Sequence, residues 1–273
     1  MRLFLGAVLG AFVLLCPPSL AQERASPSVI QQHKEMLYPT VLVTVSSGAG
    51  SGTVIYSEKR GDDVVSLVLT NHDVLADHVK LEKEWDSIKE KKIEVERRRP
   101  VKIDLFEYNN HSDSIGTVGR RALIVAYDVK RDLALLQITD KERKMLYVAR
   151  LYPEDKDRGP WIFNEVYAVG AGLGKPPFPT RGMLAGFGKD RNGLSLWLAT
   201  APIIFGNSGG ALFVRSQRGR YELIGVPSGV SVYGWAVVPH MGWARPITEI
   251  RSFLRKNNFG YIVGDVEKES EDE

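Results

Sequence analysis

The segment Gly206-Asn207-Ser208-Gly209-Gly210 is the part of the chain best suited to chemistry. Glycines on both sides of a serine let the backbone turn sharply, expose the hydroxyl and aim nearby N–H groups at one point, as an acyl-transfer oxyanion requires. A serine hydroxyl alone is a poor nucleophile, so a histidine base and an acid to orient it are expected elsewhere. The chain has five histidines. His33 falls in a leading helical pattern, His78 and His111 in polar segments, and His240 behind a proline. His72 differs: it directly follows an apolar strand in Leu69-Thr70-Asn71-His72, where a rigid scaffold can position its ring. For the acid, Asp132 stands immediately before the apolar run Leu133-Ala134-Leu135-Leu136, and a half-buried carboxylate there can hold one imidazole tautomer. Asp104 and Asp128 are fallback acids, and Asp73, adjoining His72, reads as a turn residue.

The pentapeptide also satisfies G-x-S-x-G, the nucleophile elbow of α/β-hydrolases, whose triad runs Ser, acid, His with a helix directly after the serine. Here the histidine after Ser208 is His240, the acid between them is Glu222, and residues 211–215 read as strand. The elbow reading is therefore the weaker one.

The elements that must hold these residues are strands. Residues 41–45, 52–57 and 64–70 are β-branched runs separated by Gly/Ser or Gly-Asp-Asp turn signals. Further strand patterns lie at 101–108, 121–127, 133–138, 165–169, 181–188, 194–200, 211–215, 221–226 and 235–238. Short strands at this spacing predict an all-β barrel or sandwich architecture. Ser26-Pro27 is an N-cap and first-turn proline opening a short helix to about Met36. Residues 80–99 carry 8 Lys/Arg and 6 Asp/Glu with Leu81, Trp85 and Ile88 at helical spacing, which predicts a charged surface helix inserted in a β domain. Near the end, Ile247, Ile250, Phe253 and Leu254 mark an amphipathic closing helix. The polar, turn-rich stretch 153–160 divides the chain into residues 28–152, with the insertion at about 78–100, and residues 160–258. Residues 265–273 read as a disordered acidic tail.

Composition narrows the class further. The 273 residues are 44% hydrophobic and 25% charged, a globular balance that excludes collagen-like, fully disordered and polytopic membrane chains. A net charge of +3, from 36 Lys+Arg and 33 Asp+Glu, is too small an excess to argue for a nucleic-acid surface, and the triplet Arg97-Arg98-Arg99 reads as the solvated end of the charged segment, in which six acids are interleaved. Met1-Arg2, an uncharged apolar run over 3–15 and Ser19-Leu20-Ala21 predict a secretory signal peptide over residues 1–21, too short in its apolar part to span a bilayer. The expected location is the periplasm or the cell exterior, with no membrane anchor after cleavage. The one cysteine, Cys16, lies in this leader, so the mature chain is expected to have no thiol catalysis, zinc-thiolate site or disulfide, and to need no metal or cofactor.

The motifs around His72, Asp132 and Ser208, the last running on through Gly210-Ala211-Leu212, resemble the three catalytic motifs of trypsin-like serine proteases of the bacterial HtrA/Deg group. Gly50-Ser51-Gly52-Thr53-Val54-Ile55, Val166-Tyr167-Ala168-Val169-Gly170, Leu223-Ile224-Gly225-Val226 and Trp235-Ala236-Val237-Val238-Pro239 support the resemblance, which covers nearly all of the mature chain. It implies two perpendicular six-stranded antiparallel β-barrels with the site in the cleft between them. It further implies that Ser208 attacks a peptide carbonyl, His72 shuttles the proton, Asp132 orients His72, and the N–H groups of Gly206 and Ser208 form the oxyanion hole. The chain departs from HtrA proteins in the expected lack of a PDZ domain, and from digestive relatives in Asn207, where they carry an acid that pairs with a newly cut N-terminus. Pro202 stands where trypsin-type relatives place the aspartate that selects Arg or Lys. Together with Phe205 and the small wall Pro227, Ser228 and Gly229, this predicts a small or medium apolar residue before the cut.

The sequence is thus read as an exported serine endopeptidase acting on protein or peptide substrates, with a catalytically silent binding or scaffold protein and a serine esterase as rivals. A chain with its only cysteine in the leader should be indifferent to reductant: millimolar dithiothreitol leaves the melting temperature of the mature protein unchanged, and a large fall would contradict the assignment.

Overall fold

The runs at 64–69 and 133–136 are apolar, apart from the buried Ser66, because their strands bury both faces. The computed structural model describes residues 25–87, 89–154 and 159–264, so the leader and the acidic tail read from the sequence lie outside the described residues. In chain order the first eight strands are β1 (Thr40–Val45), β2 (Gly48–Arg60), β3 (Asp63–Thr70), β4 (Val79–Asp86), β5 (Lys91–Arg98), β6 (Val101–Asn109), β7 (Asp113–Asp128) and β8 (Leu133–Ile138). Six of them close an antiparallel barrel in the order β1-β2-β3-β8-β7-β6. There follow β9 (Arg150–Leu151), β10 (Glu165–Gly170), β11 (Phe178–Lys189), β12 (Ser195–Ala199), β13 (Ala211–Arg215), β14 (Tyr221–Tyr233) and β15 (Ala236–Pro246). These form a sheet ordered β13-β10-β11-β12-β15-β14-β9, closed into a second six-stranded barrel by the β13–β14 pairing, with β9 added parallel to β14.

Side chains alternate faces along a strand, so β3 and β8 each serve two cores. Val68, Ala134, Leu136 and Ile138 fill the first barrel with Val41, Val43, Ile103 and Ile124. Leu67, Leu69, Leu133 and Leu135 join the residues of the second barrel in one continuous cluster. The two barrels therefore share a wall of apolar side chains, which fixes the strand ends that carry the candidate site.

Two helices clasp the second barrel. In α1 (Pro27–Gln32) the Ser26 hydroxyl accepts from the Val29 N–H at 3.4 Å, and a π-helical turn, His33–Leu37, continues it. Glu35 of that turn, buried, accepts from the Tyr221 N–H at 2.8 Å and pairs with Arg220. At the other end α2 (Ile247–Lys256) buries Ile247, Ile250, Phe253 and Leu254, the residues whose spacing predicts it.

The charged insertion is not a helix. Its residues form the antiparallel hairpin β4–β5, with Lys83 opposite Glu94 and Glu84 opposite Ile93. The helical spacing of Leu81 and Trp85 is equally a same-face spacing on a strand, and both stay more than 60% exposed, so no core rewards a helix. Val79, Ile93 and Val95 favour strand, and opposite charges are matched across the ribbon, with Arg97 bonded to Glu84, rather than along one helix face.

Phe253→Ala, which empties a fully buried site under the second barrel, should cost about 3–5 kcal/mol in denaturant unfolding. Glu84→Gln on the exposed hairpin should cost less than about 0.5 kcal/mol. Equal costs would contradict this placement of the core.

Candidate active site

Ser208 lies in the loop between β12 and β13, whose shape two glycines impose. Gly206 has φ +92° and Gly209 φ +84°, and a Cβ on Gly209 would sit 2.2 Å from both the Ser51 carbonyl oxygen and the Thr70 hydroxyl. Only glycine tolerates this combination of left-handed backbone and close approach. Asn207 is buried and its side-chain oxygen accepts from the Ile204 N–H at 3.2 Å, so it braces the loop from within.

Two carbonyls of the loop are tied back. Leu173 N–H donates to the Phe205 carbonyl at 2.8 Å, and Gly210 N–H to the Asn207 carbonyl at 2.9 Å. In a trans peptide the C=O and the following N–H point opposite ways, so these bonds turn the N–H groups of Gly206 and Ser208 away from their anchors. Among the described residues neither N–H donates to a protein acceptor. They are two oriented, unused donors flanking a serine.

The first barrel holds this loop through Ser51, which lies on β2 opposite Leu42 of β1 and is wholly buried. Its N–H donates to the Ser208 carbonyl at 2.8 Å and its hydroxyl to the Gly206 carbonyl at 2.6 Å, while it accepts from Ala171 N–H at 2.7 Å. Thr70, the last residue of β3, donates to the Ser51 carbonyl at 2.7 Å. The Ser208 loop is thereby fixed beside the end of β3, two residues before His72. The sequence marks Gly50-Ser51-Gly52 as a motif but does not reveal this bridging role.

His72 opens a 3-10 turn, Asp73–His78. Its ring packs against Tyr127, with centroids 5.3 Å apart and planes 30° apart. Partial burial lowers its pKa, against the opposing charges of Asp73 and Asp128. Asp132, at φ +53°, sits in the turn between β7 and β8 and meets the His72 segment through the main chain: its carboxylate accepts from Asp73 N–H at 2.9 Å and from His72 N–H. Burial first, and then the charge of Asp73, raise its pKa to about 7, against those hydrogen bonds and the charge of Arg245. Among the described residues, no hydrogen bond joins the His72 ring to Asp132 or to Ser208. The structure thus brings the Asp132 carboxylate to the His72 main chain and the Ser208 loop to the end of β3, with the imidazole turned onto Tyr127.

Further bonds fix the Asp132 turn. Asn71 donates to the Asp132 carbonyl at 2.6 Å and to the Ser228 hydroxyl at 3.2 Å, linking the turn to β14. Buried Arg245 donates to the Arg131 carbonyl at 2.7 Å and pairs with Asp190, while Arg131 pairs with Asp128 and with Glu249 of α2. Of the fallback acids, Asp128 is thus held by Arg131, and Asp104 pairs with Lys102 on β6.

The expected pocket residues fall into two groups. Pro227, Ser228 and Gly229 lie on β14, where the pairing with β15 shifts register, and the Pro227 carbonyl accepts from Gly209 N–H at 3.2 Å. Open space surrounds the position a Cβ would take on Gly229. Pro202 and Phe205 precede Ser208; the Pro202 carbonyl accepts from Thr180, and the Phe205 ring is 68% exposed.

The sequence matches the family model described as trypsin-like peptidase domain over residues 50–226, which brackets His72, Asp132 and Ser208. No curated protein matches it. Among solved structures, the serine endoprotease from Yersinia pestis superposes with a TM-score of 0.55 at 20% identity, over 89% of this chain and 69% of that one. The HtrA-type protease AlgW with a tripeptide does so with a TM-score of 0.58 at 19% identity, over 86% of this chain and 64% of that one. The chain thus spans about two thirds of the length of these neighbours.

A pH dependence follows from Asp132. Folded, it keeps its proton up to about pH 7, whereas an unfolded aspartate releases it near 3.8. Between these values the folded chain binds more protons, so this group withdraws stability as pH rises, by up to about 4 kcal/mol. Asp132→Asn, which suits a positive φ, should match the wild type at pH 4 and be the more stable at pH 8 in denaturant unfolding. A variant less stable than the wild type at pH 8 would contradict this environment.

Proposed function

Since the chain belongs to the trypsin-like peptidase family, as the match over residues 50–226 establishes, we propose that it is an exported serine endopeptidase that cleaves polypeptides through His72, Asp132 and Ser208. The observation that carries this reading is the Ser208 loop, with its two carbonyls anchored and its Gly206 and Ser208 N–H groups left to a ligand. Export rests on the residue pattern of 1–21.

In this mechanism the Ser208 hydroxyl oxygen attacks the scissile carbonyl carbon as the His72 ring takes its proton. The carbonyl oxygen becomes an oxyanion facing the Gly206 and Ser208 N–H groups, and each such donor contributes about 2.7–4 kcal/mol to barrier lowering. His72 then protonates the leaving amine, which departs to leave an acyl-Ser208; water, deprotonated by His72, hydrolyses that ester. Burial holds the His72 pKa below its usual value, so the ring is neutral and able to act as a base at neutral pH. Asp132, which binds the main chain of His72 and Asp73, orients the ring when it turns toward Ser208 and stabilises the imidazolium. Pro202, Phe205, Pro227, Ser228 and Gly229 border the site for the residue before the cut, and they favour a small or medium apolar side chain over Arg or Lys.

A fluorophosphonate probe tests this directly. The mature protein should take one adduct, lost in Ser208→Ala, and a casein digest should show cuts after small or medium apolar residues. Absence of a Ser208-dependent adduct would leave a silent scaffold, and turnover of p-nitrophenyl esters without casein cleavage would make the protein an esterase.

A further inference from the structure

The hairpin β4–β5, whose charged sequence predicts only a solvated surface element, reaches the candidate base through one aromatic ring. Tyr127, near the end of β7, lies under the His72 ring with centroids 5.3 Å apart, a separation typical of paired aromatic rings. Its hydroxyl donates to Glu96 of β5 at 2.8 Å. Arg98, on the same strand face two residues on, places its guanidinium carbon 5.1 Å from the centre of the Tyr127 ring and donates to the carbonyls of Ile124 and Val125 at 3.1 and 3.2 Å. Glu96 and Arg98 pair with each other. Both sides of the phenol register this grip: Arg98 and then Tyr127 hold the Glu96 carboxyl below its usual range, and burial followed by the Glu96 bond raises the Tyr127 hydroxyl.

A histidine side chain has three staggered χ1 positions, and its contacts decide among them. The ring has no hydrogen bond to Asp132 or Ser208 among the described residues, and the contact that places it is the Tyr127 face. We propose that Tyr127 is a positioning residue for His72, and that Glu96 and Arg98 of the inserted hairpin hold it so that the imidazole rests turned away from Ser208. On this account the hairpin is a restraint on activity: loosening its hold on Tyr127 lets the ring turn in toward Ser208. The proposal rests on the reading of His72 as the base of Ser208.

The test uses the mature full-length chain with Glu96→Ala, Tyr127→Phe and Tyr127→Ala, and Glu82→Ala on the other face of the hairpin as control. Glu96→Ala and Tyr127→Phe should each raise the rate of Ser208 labelling and kcat on peptide substrate by about fivefold, with KM unchanged, as loss of one ordinary hydrogen bond shifts a two-state population. Glu82→Ala should change neither. Equal or slower labelling in both Glu96→Ala and Tyr127→Phe would overturn the proposal, since a merely structural Tyr127 predicts that outcome. A second readout separates this failure from failure of the enzymatic reading: titration of the His72 ring by NMR in histidine-labelled protein. If the wild type takes no Ser208 adduct, positioning still requires that Tyr127→Ala raise the His72 pKa as the ring loses its cover, and that Tyr127→Phe leave it near the wild-type value. An unshifted His72 in Tyr127→Ala would then refute the positioning role.

Discussion

Everything at the site depends on a seryl residue that is not proposed to react. Ser51 belongs to the first barrel, yet its N–H and hydroxyl hold the carbonyls of Ser208 and Gly206 in the second, and its oxygen takes the Ala171 N–H at the end of β10. In a water-free position such bonds have no solvent competitor, and leaving any of the buried partners unpaired costs about 1–3 kcal/mol. One side chain therefore fixes the loop of the nucleophile relative to the strand that presents His72. The shared apolar wall of Leu67, Leu69, Leu133 and Leu135 brings the barrels together, but such packing is not directional; the polar bonds of Ser51 set the register of the active-site halves.

Asp132 shows the opposite balance. It occupies a left-handed backbone position and keeps a carboxyl group where burial penalises its charge. Both features cost stability, and the turn persists because Arg245, Arg131, Asn71 and α2 over-determine it. On the proposed mechanism, a carboxylate held this way stabilises an imidazolium in a low-dielectric site more strongly than one in water.

Much of this was legible in the residues themselves. The β-branched runs and turn signals gave the strands, and the glycines of 206–210 announced a loop that only glycine can form. The apolar runs before His72 and after Asp132 marked strands, and the structure shows that each serves two cores. The charged hairpin was misread because Leu81 and Trp85 fit a helical face and a strand face equally well, and only the cross-strand pairing of charges decides between them. Ser51, Asn71, Glu96, Arg98 and Tyr127 were invisible as functional residues because their roles come from contacts between segments far apart in the chain, for which single-sequence periodicity has no signal.

Substituting Ser51 therefore tests the account most directly. Ser51→Ala removes a single oxygen, and with it the bond to the Gly206 carbonyl, keeps the main-chain bond to the Ser208 carbonyl and replaces none of the residues assigned to the chemistry. The measurement is the rate at which a fluorophosphonate phosphonylates Ser208, with loss of fluoride, in a variant whose folded state is verified by its unfolding curve. If the two barrels form one catalytic unit through Ser51, phosphonylation slows by about tenfold or more, as a small displacement of a positioned nucleophile dictates. Phosphonylation at the wild-type rate would show that the Ser208 loop holds its geometry without the Ser51 hydroxyl, and the account would fail.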